Sequence, residues 1–495
     1  MSGRASSRHS AGRAAGLAAL ALLAGHLAAP PMAGQERFRR TPPLPDSQTV
    51  ELKLPAVGTS VLRNGLTVAT AVQPDVPSVT LQLVVMAGEA DSPSALPGLA
   101  ALTARMIGKG TRLLSAENLE NMVASVGGRF SASTLMDYTV LSMRVLPENL
   151  DRAIYVLRVM ALEATFSERE LAGVRRIAYG ELLEQKKDPE VLAWRHLLRR
   201  LFEDHPYGTA VYADDVIKFI TARDVATFYD RYYRPTNAAV LVSGNIDAAD
   251  AALKVSSLFG GWAGPPVGRS VIPPPRPNAR ERVCYVEAPD VANAAVFAGN
   301  VIMDASDPDF FPFLVLKQIL GGTTRSRLFM NLRESRGYAY YAFSETEFFR
   351  SCGVYWARAL VGPQAIVPAA REILREIGIL AGEPAAAAEI EEAKSYLVGN
   401  LPMHFDSPQG FADWMARYVA LGLDEAHWDK GPERYKLVNA EQVREVAKVH
   451  LSANPLLVIV GRPEWLGLVA GEFAAVEVYD ARGKLLRVLP KGEMP

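Results

Sequence analysis

Apolar and polar positions alternate over 79–85, with Val79, Leu81, Leu83 and Val85 on one side and Thr80, Gln82 and Val84 on the other, and the run ends at Ala87-Gly88. A period of two predicts a β-strand with one covered face. The period then changes. Leu99, Leu102 and Met106 recur at spacings of three and four before Gly108 and Gly110, which predicts a short helix with a glycine stop. A helix over 116–125, a turn at Gly127-Gly128 and a strand through Thr139, Leu141, Met143 and Val145 follow. Long helical stretches are expected over 168–185 and 192–202.

The order then returns. A strand over 294–303 precedes Asp307-Pro308, read as N-cap and first-turn proline of a helix over 310–320 that stops at Gly321-Gly322. A helix over 225–233 leading to a buried strand that ends at Gly244 has its counterpart in a helix over 443–451 and a strand that ends at Gly461. Between the copies, Pro265, Pro266, Pro273, Pro274, Pro275 and Pro277 make 263–280 an interdomain linker. The expected fold is α+β: two tandem homologous halves, 56–262 and 281–490, each with helices on one sheet face, forming a clamshell around a central groove. Phe343 to Phe349 with Val354 to Ala357 predict a β-hairpin near Gly353. Its aromatics read first as core, and its edge could accept an extended peptide. Residues 384–388 are expected as a loop entering a helix over 389–397.

Composition narrows the function. The 495 residues are 49% hydrophobic and 22% charged with a net charge of −1, so the chain is globular and presents no overall field for nucleic acid. Arg4, Arg8 and Arg13 precede an apolar run over 14–24 and small residues at Ala28, Ala29, Ala33 and Gly34, the order of a secretory signal peptide over 1–34. A polar extension, 35–55, follows. The apolar run is short for a membrane span, so export without stable membrane insertion is expected. Cys284 and Cys352 are the two cysteines, enough for one bridge at most.

The run from Gly98 to Thr111 resembles the zinc-site helix of the pitrilysin/insulinase family of peptidases, the inverzincins. The resemblance extends over nearly the whole mature chain through Ala87-Gly88, Gly127-Gly128, Asp188-Pro189, His205-Pro206-Tyr207-Gly208 and Tyr232 to Asn237. In that family the helix carries H-x-x-E-H, two zinc ligands and a general base. The matching positions here are Ala101, Ala104 and Arg105, and the family's third ligand lines up with Glu181. Methyl groups do not ligate and a guanidinium repels a divalent cation, so no metal is expected on this chain. Arg105 and Glu181 are expected to form an ion pair instead. The seven histidines are scattered and suggest no replacement site.

A second family segment, Gly321 to Tyr340, is retained. The resemblance implies that Arg333 and Tyr340, seven residues apart, contact substrate, while Arg336, Tyr338 and Tyr341 depart from that spacing. A guanidinium and a phenol suit the task, since both donate hydrogen bonds to a carbonyl oxygen as charge develops on it. Some bacterial members of the family divide these parts between two chains. The resemblance therefore implies a non-catalytic, substrate-binding subunit in the periplasm, paired as a heterodimer or higher assembly with a homologous zinc-bearing subunit and acting on unfolded peptides. A non-enzymatic structural or peptide-binding homologue is the alternative.

Overall fold

In the computed structural model of the chain, residues 54–490 are described apart from 211–215, 277–281, 425–426, 428–429 and 452–453. The expected signal peptide, most of the extension and the end of the linker lie outside the described residues.

The first half builds a six-stranded sheet from β1 (Val57–Val61), β2 (Thr67–Val72), β3 (Val79–Val85), β4 (Arg129–Thr134), β5 (Thr139–Val145) and β6 (Ala238–Gly244), in the order β1-β2-β6-β3-β5-β4. The second uses β7 (Arg282–Glu287), β8 (Ala294–Ile302), β9 (Ala339–Phe348), β10 (Gly353–Val361), β11 (Leu456–Gly461), β12 (Ala475–Asp480) and β13 (Leu485–Pro490), in the order β13-β12-β7-β11-β8-β10-β9. The duplication is visible in these orders. β6 runs parallel to β2 and antiparallel to β3, and β11 runs parallel to β7 and antiparallel to β8.

Helices α1 (Leu99–Met106), α2 (Ala116–Ser125), α3 (Leu150–Leu162), α4 (Glu168–Gln185), α5 (Pro189–Phe202), α6 (Ala222–Tyr232) and α7 (Ala248–Phe259) belong to the first half. Helices α8 (Phe310–Gly321), α9 (Ile366–Gly382), α10 (Ala387–His404), α11 (Pro408–Leu421) and α12 (Ala440–His450) belong to the second. Asp188 caps α5 by accepting from the amides of Glu190 and Val191, with Pro189 in the first turn.

Two expectations need correction. Helices do not cover one sheet face only: every residue of β3 is buried, Thr80 and Gln82 included. The second face of each sheet is closed by a helix from the other half. Leu197, Leu198 and Leu201 of α5 pack with Phe297, Val458 and Val460 of the second sheet, and Phe411, Met415 and Ala416 of α11 pack with Val84, Ala239 and Leu241 of the first. Trp194 packs against Trp356 with ring centroids 4.1 Å apart and the rings tilted by 38°. Gly299 permits the close approach of α5, since a Cβ there would stand 2.6 Å from the Tyr355 carbonyl oxygen and 3.0 Å from Leu197 Cδ2.

The second correction concerns helix starts. α8 begins at Phe310 with Asp309 as its N-cap, because Asp307 turns its carboxylate to the Asp309 amide at 2.8 Å in a preceding turn. α10 starts at Ala387, earlier than the loop expected there, and continues to His404. Cys284 and Cys352 are both buried and free, so the one bridge that their number allowed is not formed.

The halves are also tied by buried charge. In the β4–β5 turn, Asp137 accepts from Tyr207 Oη at 2.9 Å and from the Arg350 amide at 2.8 Å, while the Arg350 guanidinium lies 3.2 Å from Asp137 and 3.6 Å from Asp91. The described part of the proline-rich segment, 263–276, is tied to the fold: Arg269 donates to the carbonyls of Val419 and Ala420, and Arg350 donates to that of Ser270. A cleft of ≈ 800 Å³ remains between the halves, walled by β4 and β5 on one side and by the α10–α11 region on the other.

Candidate functional site

Helix α1 is positioned from its N-terminus. Glu89, in the turn after β3, accepts from the amides of Gly98 at 3.1 Å and Ala101 at 2.9 Å, and Ser92 Oγ accepts from the Ala100 amide at 3.0 Å. These side chains satisfy donors that a helix start leaves unpaired. Burial of the Glu89 carboxyl dominates its titration and pushes it up to about 7, against the lowering effects of the two amides, Ser92 and nearby Arg105. Gly88 allows the turn to touch the β4–β5 hairpin: a Cβ there would lie 2.3 Å from the Leu135 carbonyl oxygen.

On α1, Ala101 and Arg105 are half-buried and Ala104 is buried. Arg105 Nη2 lies 2.6 Å from Glu181 Oε2 on α4. With side chains 38% and 48% exposed, the pair is worth about 0–1 kcal/mol and adds little to the stability of the fold. Ala101 and Ala104 offer no side-chain donor atom, Arg105 directs its N–H groups at the Glu181 carboxylate, and these residues do not fit a zinc ion. Among the described residues no group of three or more His, Cys, Asp and Glu side chains is placed to hold a metal. Beside Arg105 opens a pocket of ≈ 420 Å³ with apolar walls from Ile107, Phe130, Ala132, Met160, Val174 and Ile177.

Arg333 sits on a π-helical segment, Phe329–Ser335, that leads into the edge strand β9. Such turns are uncommon and recur at functional sites. This one is anchored on both flanks. Arg327 makes a bidentate pair with Glu389 at 2.7 Å, and Asn331 Nδ2 donates to Glu372 at 2.8 Å and to Glu376 at 2.6 Å. Arg336 lies 3.1 Å from Glu372 and Tyr341 donates to Glu190, so both have structural partners. Arg333 remains half exposed, its guanidinium 5.1 Å from the centre of the Phe329 ring and 3.7 Å from Glu334. Tyr340 is 61% exposed.

Sequence reasoning missed Glu89, Asn331 and the Asp137–Arg350 tie. The only signal for Glu89 was an acidic residue after a strand, and nothing local linked Asp137 to Arg350.

Residues 67–215 match the profile described as Insulinase (Peptidase family M16), and residues 220–397 match that described as Peptidase M16 inactive domain. The chain belongs to the M16 peptidase family. An uncharacterized zinc protease of Streptomyces coelicolor is 27% identical over 413 residues, covering 81% of this chain and 89% of the relative. One from Mycobacterium leprae is 26% identical over 375 residues, covering 75% and 82%. Among solved structures, the fold is shared with a peptidase M16 inactive domain from Pseudomonas fluorescens, at TM-score 0.76 and 21% identity over 82% of this chain and 98% of that one. It is shared too with a protease from Helicobacter pylori, at TM-score 0.77 and 20% identity over 83% and 100%. The M16 relatives carry zinc protease names, whereas Ala101, Ala104 and Arg105 here give a metal nothing to bind.

Proposed function

We propose that this M16 chain is the non-catalytic, substrate-binding subunit of a two-chain zinc metallopeptidase that degrades unfolded peptides, exported to the periplasm. The observation that supports this reading is that Arg105, which aligns with a zinc ligand of the family, pairs with Glu181, while Arg333 on an anchored π-helical turn and Tyr340 at the start of β9 stay accessible. A homologous partner with H-x-x-E-H supplies the zinc and its water. This chain supplies Arg333 and Tyr340, whose N–H and O–H groups donate to a peptide carbonyl oxygen and steady its developing charge. The apolar pocket beside Arg105 receives a side chain of the same peptide.

The test is hydrolysis of a quenched fluorescent peptide by the mature chain alone and mixed with an H-x-x-E-H homologue, with zinc quantified in each sample. Activity is expected only in the mixture, and Arg333→Ala there lowers turnover on the order of 10²-fold, as loss of one oxyanion donor does. Activity in the chain alone refutes the reading. Silence in the mixture favours the structural or peptide-binding homologue.

A further inference from the structure

The strand that carries Tyr340 is irregular at that residue. Val361 of β10 faces Ala339 and Leu360 faces Tyr341, so Tyr340 is the extra residue of a β-bulge, with no opposite number on β10. A bulge bends its strand and re-aims a side chain, and bulges recur beside functional sites. Because β9 is an edge strand, its ladder braces the bulge from one side only.

The first half supplies a second brace. Glu190, in the first turn of α5, accepts from the Tyr341 hydroxyl with one carboxylate oxygen and from Arg358 Nη1 of β10, at 2.7 Å, with the other. The Arg358 guanidinium stands 5.5 Å from the centre of the Tyr341 ring. One helical turn on, Trp194 packs against Trp356, so α5 holds the β9–β10 pair at two places on one face. Burial, followed by the hydrogen bond to Glu190, pushes the Tyr341 hydroxyl up to about 12, so it stays a donor at neutral pH. From Tyr341 an aromatic row leads to the other accessible residue: the Tyr341 ring lies 6.0 Å from that of Phe343, Phe343 lies 5.5 Å from Phe329, and the Arg333 guanidinium lies 5.1 Å from Phe329. Packing alone does not call for the hydroxyl. A phenylalanine would complete the row, and Arg358 reaches a second carboxylate, Glu345, at 3.4 Å. What the hydroxyl adds is a fixed link between α5 and the bulge.

We propose that Glu190 and Tyr341 are positioning residues for Arg333 and Tyr340, clamping the bulged start of β9 to the first half and so setting where the two donors point. The proposal rests on the reading of that pair as substrate-contacting groups and adds to it two residues that touch no substrate.

The test is Tyr341→Phe, which keeps the ring and deletes the group that reaches Glu190. In the chain alone, para-fluorophenylalanine at position 340 reports the placement of that ring by fluorine NMR, and its line is expected to shift or split in the variant. Glu190→Ala, which removes the acceptor instead, moves the same line. In the active mixture kcat falls about tenfold, the scale of one hydrogen bond to a charged group, while KM holds. In a chain already carrying Arg333→Ala and Tyr340→Phe the change adds nothing, a coupling that a general loss of stability does not produce. An unchanged fluorine line, an unchanged kcat in an active mixture, or a fall as large in the doubly substituted chain overturns the clamp. A shifted line in a mixture that hydrolyses nothing upholds the clamp and overturns the two-chain reading.

Discussion

Glu89→Gln tests whether burial or capping governs the carboxyl at the head of α1. The unfolded chain titrates Glu89 near 4.5 and the folded chain near 7, so the folded state binds its proton more tightly. Stability from this group is fully present below 4.5 and is lost as pH rises through 7. A tenfold change in proton binding is about 1.4 kcal/mol, so the full loss approaches about 3 kcal/mol; the partly open residue makes that an upper value. Glutamine keeps an acceptor for the Ala101 amide and removes the titration. Urea unfolding of both proteins between pH 4 and 8 should show wild type losing up to about 3 kcal/mol against the variant as pH rises. Asp91, also raised by burial, titrates in both and cancels. Parallel pH profiles would refute the reasoning. So would a wild type that gains on the variant with pH, which would mean that the amides, Ser92 and Arg105 outweigh desolvation.

Three further perturbations probe the tie, the helix exchange and the zinc position. Asp137→Ala leaves the Arg350 guanidinium, 12% exposed, without its main partner, and should cost about 3–5 kcal/mol in chemical denaturation; a loss below about 1 kcal/mol counts against a structural role. Gly299→Val drives a side chain into the Tyr355 carbonyl and Leu197, and should destabilise by about 1–3 kcal/mol or more; an unchanged denaturation midpoint would mean that α5 is not seated there. Restoring His at 101 and 105 with Glu at 104 places two imidazoles beside Glu181 and should create measurable zinc affinity in calorimetry, whereas a folded triple variant with no affinity argues against the alignment.

Much of the architecture was legible because it is written in local periods. The duplication, the bounds of α2 and the paired ends of the halves follow from apolar spacing and glycine stops. The same spacing does not say which sheet an apolar helix face will meet. A helix was expected over 192–202, and only the structure places its leucines against β8 and β11. Thr80 and Gln82 looked like a solvent side because they are polar, yet both are buried and Gln82 donates to Asp413 of α11 at 2.6 Å. At the site, the Arg105–Glu181 pair was expected from the resemblance to the family's zinc helix, and the two side chains do meet. The π-helical geometry under Arg333 has no sequence period, and its anchors Glu372, Glu376 and Glu389 arrive from helices far along the chain.

The exchange of α5 and α11 has a consequence for biogenesis. A chain synthesised N-terminus first completes the strands of its first sheet long before α11 emerges, and α5 before β8 and β11 exist. Until then Ala71, Val84 and Leu241 on one nascent half, and Leu197 and Leu201 on its outlying helix, are bare apolar surface exposed to aggregation. Each half relies on the other to cover one face of its sheet. Cutting the gene in the proline-rich segment should yield two sticky fragments that become soluble when produced together, each acting as the other's chaperone.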